Sequence, residues 1–187
     1  MKKLLISILS LVLLFTITGC NKKDETKKDT KDDTIEETNS NYKSYECRYS
    51  KDDNAEGKRY LTKYIVELND KNELEKYTLI TGFSNYGAKT EGYNEYCKGL
   101  EDNKQTDLIE KYKDVVKFKV VCNEDNNYQA YVQKEYQVKK IKDIDEFKNI
   151  YKFLEQYIKS DGTFDLEAFK DYFNTNELKK GNYTCNY

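Results

Sequence analysis

From Tyr42 onward the chain keeps returning to one pattern, an apolar or aromatic side chain at every second position, which is the signature of strands with one buried face. Tyr45, Cys47 and Tyr49 begin it, Tyr60, Thr62, Tyr64, Val66 and Leu68 continue it, and Tyr77, Leu79, Thr81 and Phe83 form a third run. Asp52-Asp53-Asn54 and Asn69-Asp70-Lys71-Asn72 separate these runs with turn residues, at gaps short enough for antiparallel hairpins. Val116, Phe118, Val120 and Cys122, then Tyr128, Ala130, Val132, Tyr136 and Val138, predict a second hairpin around Asn123 to Asn127. Between the two hairpin groups the period changes. Tyr93, Tyr96, Cys97, Leu100, Leu108, Ile109 and Tyr112 fall on one face of a helix that Gly99 weakens. Asp143 with Glu146 resembles an acidic capping box ahead of Ile144, Phe147, Tyr151, Leu154 and Ile158, Ser160-Asp161-Gly162 breaks that helix, and Leu166, Phe169, Tyr172 and Phe173 mark a last short one. The expectation is α+β: an antiparallel sheet of about five strands with two to three helices packed on one face, and no internal repeat.

What precedes Tyr42 reads differently. Lys2 and Lys3 lead an apolar stretch from Leu4 to Ile17, interrupted by Ser7, Ser10 and Thr16 and followed by small residues, the order of an export signal. About fourteen residues reach roughly 21 Å, short of the roughly 30 Å hydrocarbon core, so the stretch makes a poor permanent span. Ile17-Thr18-Gly19-Cys20 resembles the lipobox of bacterial lipoproteins. That resemblance implies removal of residues 1–19 and a diacylglycerol thioether on Cys20, with palmitate-like acyl chains holding the protein to the cell membrane. Two chains, at about 0.8 kcal/mol per buried methylene, exceed what a single chain needs for reversible attachment. Asn21 to Asn41 alternates lysine with acids around a single large apolar residue, Ile35, and so reads as a disordered tether. Its coil reach is about 25 Å and its pulled length roughly 70 Å. Three parts follow: residues 1–19 as the signal peptide, 20–41 as lipidated cysteine and tether, and 42–187 as the extracytoplasmic domain.

Charge narrows the partners. Removing Lys2 and Lys3 from the 32 basic groups leaves 30 against 34 acidic ones, a net of −4. Without a basic excess, the counterion release that drives nucleic-acid binding is missing, and no polybasic patch is available for anionic lipid. Arg48 and Arg59 are the only arginines, Asn and Tyr are frequent, and Pro, Trp and His are absent. Such usage points to an AT-rich genome, and with the lipobox to a Gram-positive bacterium and the outer face of its membrane.

With no histidine in the chain, Ser-His-acid and Cys-His catalysis and histidine-containing zinc sites are excluded. Gly82-Phe83-Ser84-Asn85-Tyr86-Gly87 falls short of a nucleophile elbow, because Tyr86 stands where glycine is needed. Around Asp161-Gly162-Thr163-Phe164-Asp165 the charged oxygens of a calcium loop are missing, Tyr157, Lys159 and Ala168 occupying its first, third and twelfth positions. Asn123-Glu124-Asp125 is a solvated hairpin tip before it is a cation site. No cofactor and no metal is expected. Eighteen tyrosines sit mostly at core spacings, with Tyr86 and Tyr131 off those faces as the candidates for an exposed binding surface.

Cys47, Cys97, Cys122 and Cys185 form an even set on the oxidising side of the membrane, where disulfides form. Three pairings are open. Cys97 with Cys122 is favoured, since one lies on the inward face of the first helix and the other ends the strand expected beneath it, which leaves Cys47 to hold the tail at Cys185. A four-cysteine zinc site and four free thiols are the rivals. Ahead of the final long helix, Lys142-Asp143-Ile144-Asp145 and the element order resemble the YehR-like small bacterial lipoproteins. That resemblance implies three strands, a helix, two strands and a terminal helix over roughly residues 42 to 158, and carries no activity. The functional expectation is a non-enzymatic envelope module that binds a protein, peptide or glycan. The alternative is an acid-based extracytoplasmic hydrolase using paired carboxylates.

Overall fold

A computed structural model of the chain describes residues 42–53, 57–86, 90–103, 106–125, 128–175 and 183–186. The signal segment, Cys20 and the tether expected over 21–41 lie outside the described residues. Six strands, β1 (Lys43–Asp53), β2 (Lys58–Leu68), β3 (Leu74–Asn85), β4 (Val116–Asn123), β5 (Gln129–Gln137) and β6 (Tyr183–Asn186), form one open sheet in the order β4-β5-β3-β2-β1-β6. Every neighbouring pair is antiparallel. The fold is α+β, with helices α1 (Thr90–Asp102), α2 (Thr106–Lys111), α3 (Val138–Ile141), α4 (Lys148–Glu155) and α5 (Leu166–Thr175), and a 3-10 turn at Asp145–Phe147 before α4.

The alternation of the sequence becomes two faces of this sheet. Register places Tyr45, Val66, Tyr77, Tyr136 and Val116 in one row, and Cys185, Cys47, Tyr64, Leu79, Lys134 and Phe118 in the next. The helices pack on this face. Phe173 meets Tyr64 at 4.7 Å between ring centroids, Phe153 meets Tyr77 at 6.4 Å, and Phe147 meets Tyr136 at 5.8 Å. At the other end of the same face, Tyr93 and Cys97 of α1 pack around Ala130, and Tyr96 stands 5.1 Å edge-on to Phe83. Val66, Ile141 and Leu154 are fully buried, and Phe169 and Phe173 nearly so. Each such side chain contributes about 1.5–3 kcal/mol of transfer free energy. Helix α5 is started by Asp165, whose carboxylate accepts from the Ala168 N–H at 3.1 Å.

Three local expectations are corrected. The helix expected across Tyr93 to Tyr112 is two, and the break lies past Gly99: Asn103 donates from both its backbone N–H (3.0 Å) and its side-chain amide (2.7 Å) to the Gly99 carbonyl. No apolar residue between Leu100 and Leu108 gives the chain a reason to continue the helix across the sheet. The capping box does not form, because Ile144 occupies the cap position without a side-chain bond, and Glu146 instead accepts from the Tyr112 hydroxyl at 2.7 Å and the Lys111 ammonium at 2.9 Å. These two donors hold the Glu146 carboxyl down at about 2. Finally, the C-terminal tail is a sixth strand, Tyr183–Asn186 pairing with Glu46 to Tyr49 at the β1 edge.

Candidate binding face

Cys47 is joined to Cys185 and Cys97 to Cys122, the pairing favoured from helix and strand placement. Both bonds lie on the helix side. One holds β6 against β1, with Cα atoms 4.0 Å apart, and the other ties α1 to the end of β4 across 6.0 Å.

Tyr86 and Tyr131 are not brought together. Tyr86 belongs to an aromatic cluster beneath α1, 5.3 Å from Tyr96 and 5.9 Å from Tyr93, with the Lys58 ammonium 4.5 Å above its ring. Tyr131 lies on the opposite face of the sheet, aligned with Gly82 and Leu61. The other motifs are local turns. Asp161 accepts from the Thr163 N–H (2.9 Å) and hydroxyl (2.7 Å), Asn123 accepts from the Asp125 N–H (2.9 Å), and the Ser84 hydroxyl reaches the Arg59 carbonyl at 3.5 Å.

Tyr131 leads to the face that no described helix covers. Its rows cross the strands. Lys117, Glu135, Thr78, Ile65 and Glu46 form one; Lys119, Gln133, Ile80, Lys63, Arg48 and Thr184 form the next; Val121, Tyr131, Gly82, Leu61 and Ser50 form a third. Arg59 lies opposite Asp52 beyond them. Both arginines of the chain are thus on this side.

The acids of the face are matched one by one. Glu46 takes Lys63 at 3.1 Å, Glu67 takes Lys76 at 2.9 Å, Glu135 takes Lys117 at 3.4 Å, and Asp52 takes Arg59. The Arg59 hydrogen bond, against a small desolvation cost, lowers the Asp52 carboxyl. For Lys76, desolvation acts downward, but Glu67, helped by Glu135, outweighs it and the ammonium ends above its ordinary value. Glu67 Oε2 and Glu135 Oε1 are buried without a directed hydrogen bond, so these two contacts are ion pairs by proximity rather than by lone-pair alignment. Two cations remain. Among the described residues Arg48 and Lys119 have no carboxylate partner, and both stand in the middle row, which contains only donors and one isoleucine.

Gly82 stands at the centre of the third row. Its φ is +153°, and a Cβ there would strike the Ala130 carbonyl and the Tyr131 backbone. Only glycine lets β3 approach β5 this closely. The result is a strip with no side chain at its centre, with half-buried Tyr131 on one side and buried Leu61 on the other.

Lys134 is the exception on the helix side. Its side chain is half-buried, the ammonium 5.8 Å from the Phe118 ring centroid and without a carboxylate partner among the described residues, and burial lowers its pKa. An inward charge next to edge strand β4 acts against edge-to-edge pairing with other chains.

The donor row was missed in the sequence because no stretch of it is contiguous. Arg48, Lys63, Gln133 and Lys119 come from four strands, and only register aligns them. The chain matches no protein-family model, and no curated protein or solved structure significantly resembles it.

Proposed function

We propose that the chain is a lipid-anchored lipoprotein of the bacterial envelope, held by Cys20 at the outer face of the membrane, and that its domain is a binding module whose working surface is the sheet face opposite the described helices. The observation that carries this reading is the donor row of Arg48, Lys63, Gln133 and Lys119 beside Tyr131 and the side-chain-free Gly82. Uncovered faces of antiparallel sheets are commonly solvated, and then their charges pair off. Here Arg48 stands directly opposite Lys63, whose charge Glu46 offsets, and Arg48 itself is left without a carboxylate partner among the described residues.

Among the described residues, every carboxyl with a resolved shift is lowered: Asp52 by Arg59, Glu73 by Lys139, Glu146 by Tyr112, Asp161 by Thr163 and Asp165 by the Ala168 N–H. Such groups stay ionised at neutral pH and are held by the partners that lower them. The likeness to YehR-like lipoproteins belongs to the same proposal.

A photo-crosslinking residue at Tyr131 tests it on intact cells, with one at Tyr151 on the helix side as control. Adducts from position 131 and none from 151 are expected. Adducts confined to 151 would refute the assignment of the face.

A further inference from the structure

We infer that the sheet face opposite the helices binds an extended anionic glycan, its acidic groups held by Arg48, Lys63 and Lys119 and its sugar rings laid on Tyr131 beside Gly82. The inference rests on the reading of this face as the binding surface and adds the chemistry of the occupant.

Charge comes first. The chain as a whole carries −2, so a row without a single acid is a local departure from its average. Glu46 already offsets Lys63, while Arg48 and Lys119 are unmatched. Arginine presents a planar fork that suits carboxylate or phosphate, and lysine a mobile point charge. Length comes second. Arg48 on β1 and Lys119 on β4 are four strand spacings apart, roughly 19 Å. A compact anion reaches one end of such a row, and an extended polymer spans it.

The neighbouring row selects among polymers. Extended peptides are read by pockets for alternate side chains. This strip offers instead the half-buried Tyr131 ring beside side-chain-free backbone at Gly82, with Leu61 buried, so that the C–H face of a sugar can stack on the ring while its hydroxyls meet Tyr131 and Gln133. Three cations in a single file are also too few for a nucleic-acid duplex.

The test uses the full chain in nonionic detergent with four probes: hexagalacturonate, a phosphomannan oligosaccharide, neutral maltohexaose and hexaglutamate. The first two should bind, more weakly as salt rises from about 50 to about 300 mM. Which of them binds tighter identifies the acidic group. Arg48→Gln combined with Lys119→Gln should weaken both by about tenfold and flatten the salt dependence. Tyr131→Ser should weaken both while leaving the salt dependence as it was, and Lys139→Gln, whose ammonium pairs with Glu73 and Glu75, should change neither. Thermal melts of each variant establish that it is folded.

Binding unaffected by the Arg48 and Lys119 changes would overturn the inference, as would hexaglutamate binding as tightly as hexagalacturonate, or maltohexaose alone binding. If no probe binds while the Tyr131 crosslink on cells persists, the glycan is wrong and the face stands. If that crosslink is missing too, both fall.

Discussion

Removing the Cys47–Cys185 bond should cost more stability than removing Cys97–Cys122, and the difference follows from topology. The first closes a loop of 138 residues and the second one of 25. On chain-entropy grounds, opening them costs about 5 and about 3.5 kcal/mol, upper values because the reduced unfolded chain is not fully random. Packing widens the gap. Tyr183 on β6 stacks on Phe173 at 5.1 Å and Tyr49 at 5.1 Å, and a four-residue strand released from its bond loses these contacts as well. Cys122 is exposed at the end of β4, so its loss removes the crosslink and little else. For a domain of this size one kcal/mol moves Tm by about 2–4 °C. Cys47→Ser with Cys185→Ser should therefore lower Tm by about 10–20 °C, and Cys97→Ser with Cys122→Ser by about 7–14 °C. Paired calorimetric scans of the two double variants, under non-reducing conditions, decide it. Equal shifts, or a larger one for the shorter loop, would refute the argument that loop length and the β6 contacts set the order.

Gly82→Ala should destabilise by about 1–3 kcal/mol in urea titrations, since the new methyl meets the Ala130 carbonyl and φ is +153°. A neutral result would show that β3 can move away from β5. Lys134→Met should stabilise on the order of 1 kcal/mol at neutral pH, because a desolvated charge is replaced by an isosteric apolar chain. The lysine pKa is depressed in the folded state, so the unfolded state holds more protons between that value and 10.5, and wild-type stability recovers as pH rises through this window. The advantage of the variant should shrink there, and a constant advantage contradicts the account. Glu146 behaves oppositely: lowered from 4.5 to about 2, it contributes above pH 4.5 and loses that contribution as pH falls towards 2. Glu146→Gln should accordingly fall behind wild type at pH 6 and converge with it at the acid end, and a gap independent of pH would be the failing result. Cys20→Ala should abolish lipid attachment, and mass spectrometry of the N-terminal peptide showing acyl mass elsewhere would dismiss Cys20 as the anchor.

Five strands, their pairing into hairpins and the inward faces of the helices were legible from Tyr42 onward because those features depend on neighbours a few residues apart. An alternation such as Tyr64, Val66, Leu68 dictates a half-buried strand wherever it is placed. Even the cysteine pairing yielded to this reasoning, since a helix face and a strand end were enough to bring Cys97 towards Cys122. Where the local pattern ran short, so did the reading. Tyr183–Asn186 has too few residues to display a period, and the edge of β1 makes it a strand. Asp143 and Glu146 have the spacing of a capping box, and the approach of Tyr112 and Lys111 from α2 takes Glu146 elsewhere.

The candidate face lay beyond local pattern altogether. Sequence alternation set Arg48, Lys63 and Lys119 between inward residues of their strands, and Gln133 beside inward Val132. It could not align them, because a shift of one residue in any pairing would move a whole strand to the other face, and that choice is made by sums of contacts between segments up to 138 residues apart. Insertion of β5 between β3 and β4, the close approach at Gly82 and the burial of one sheet face by the helices are what leave a row of donors beside a bare strip, and these were decided by tertiary packing alone.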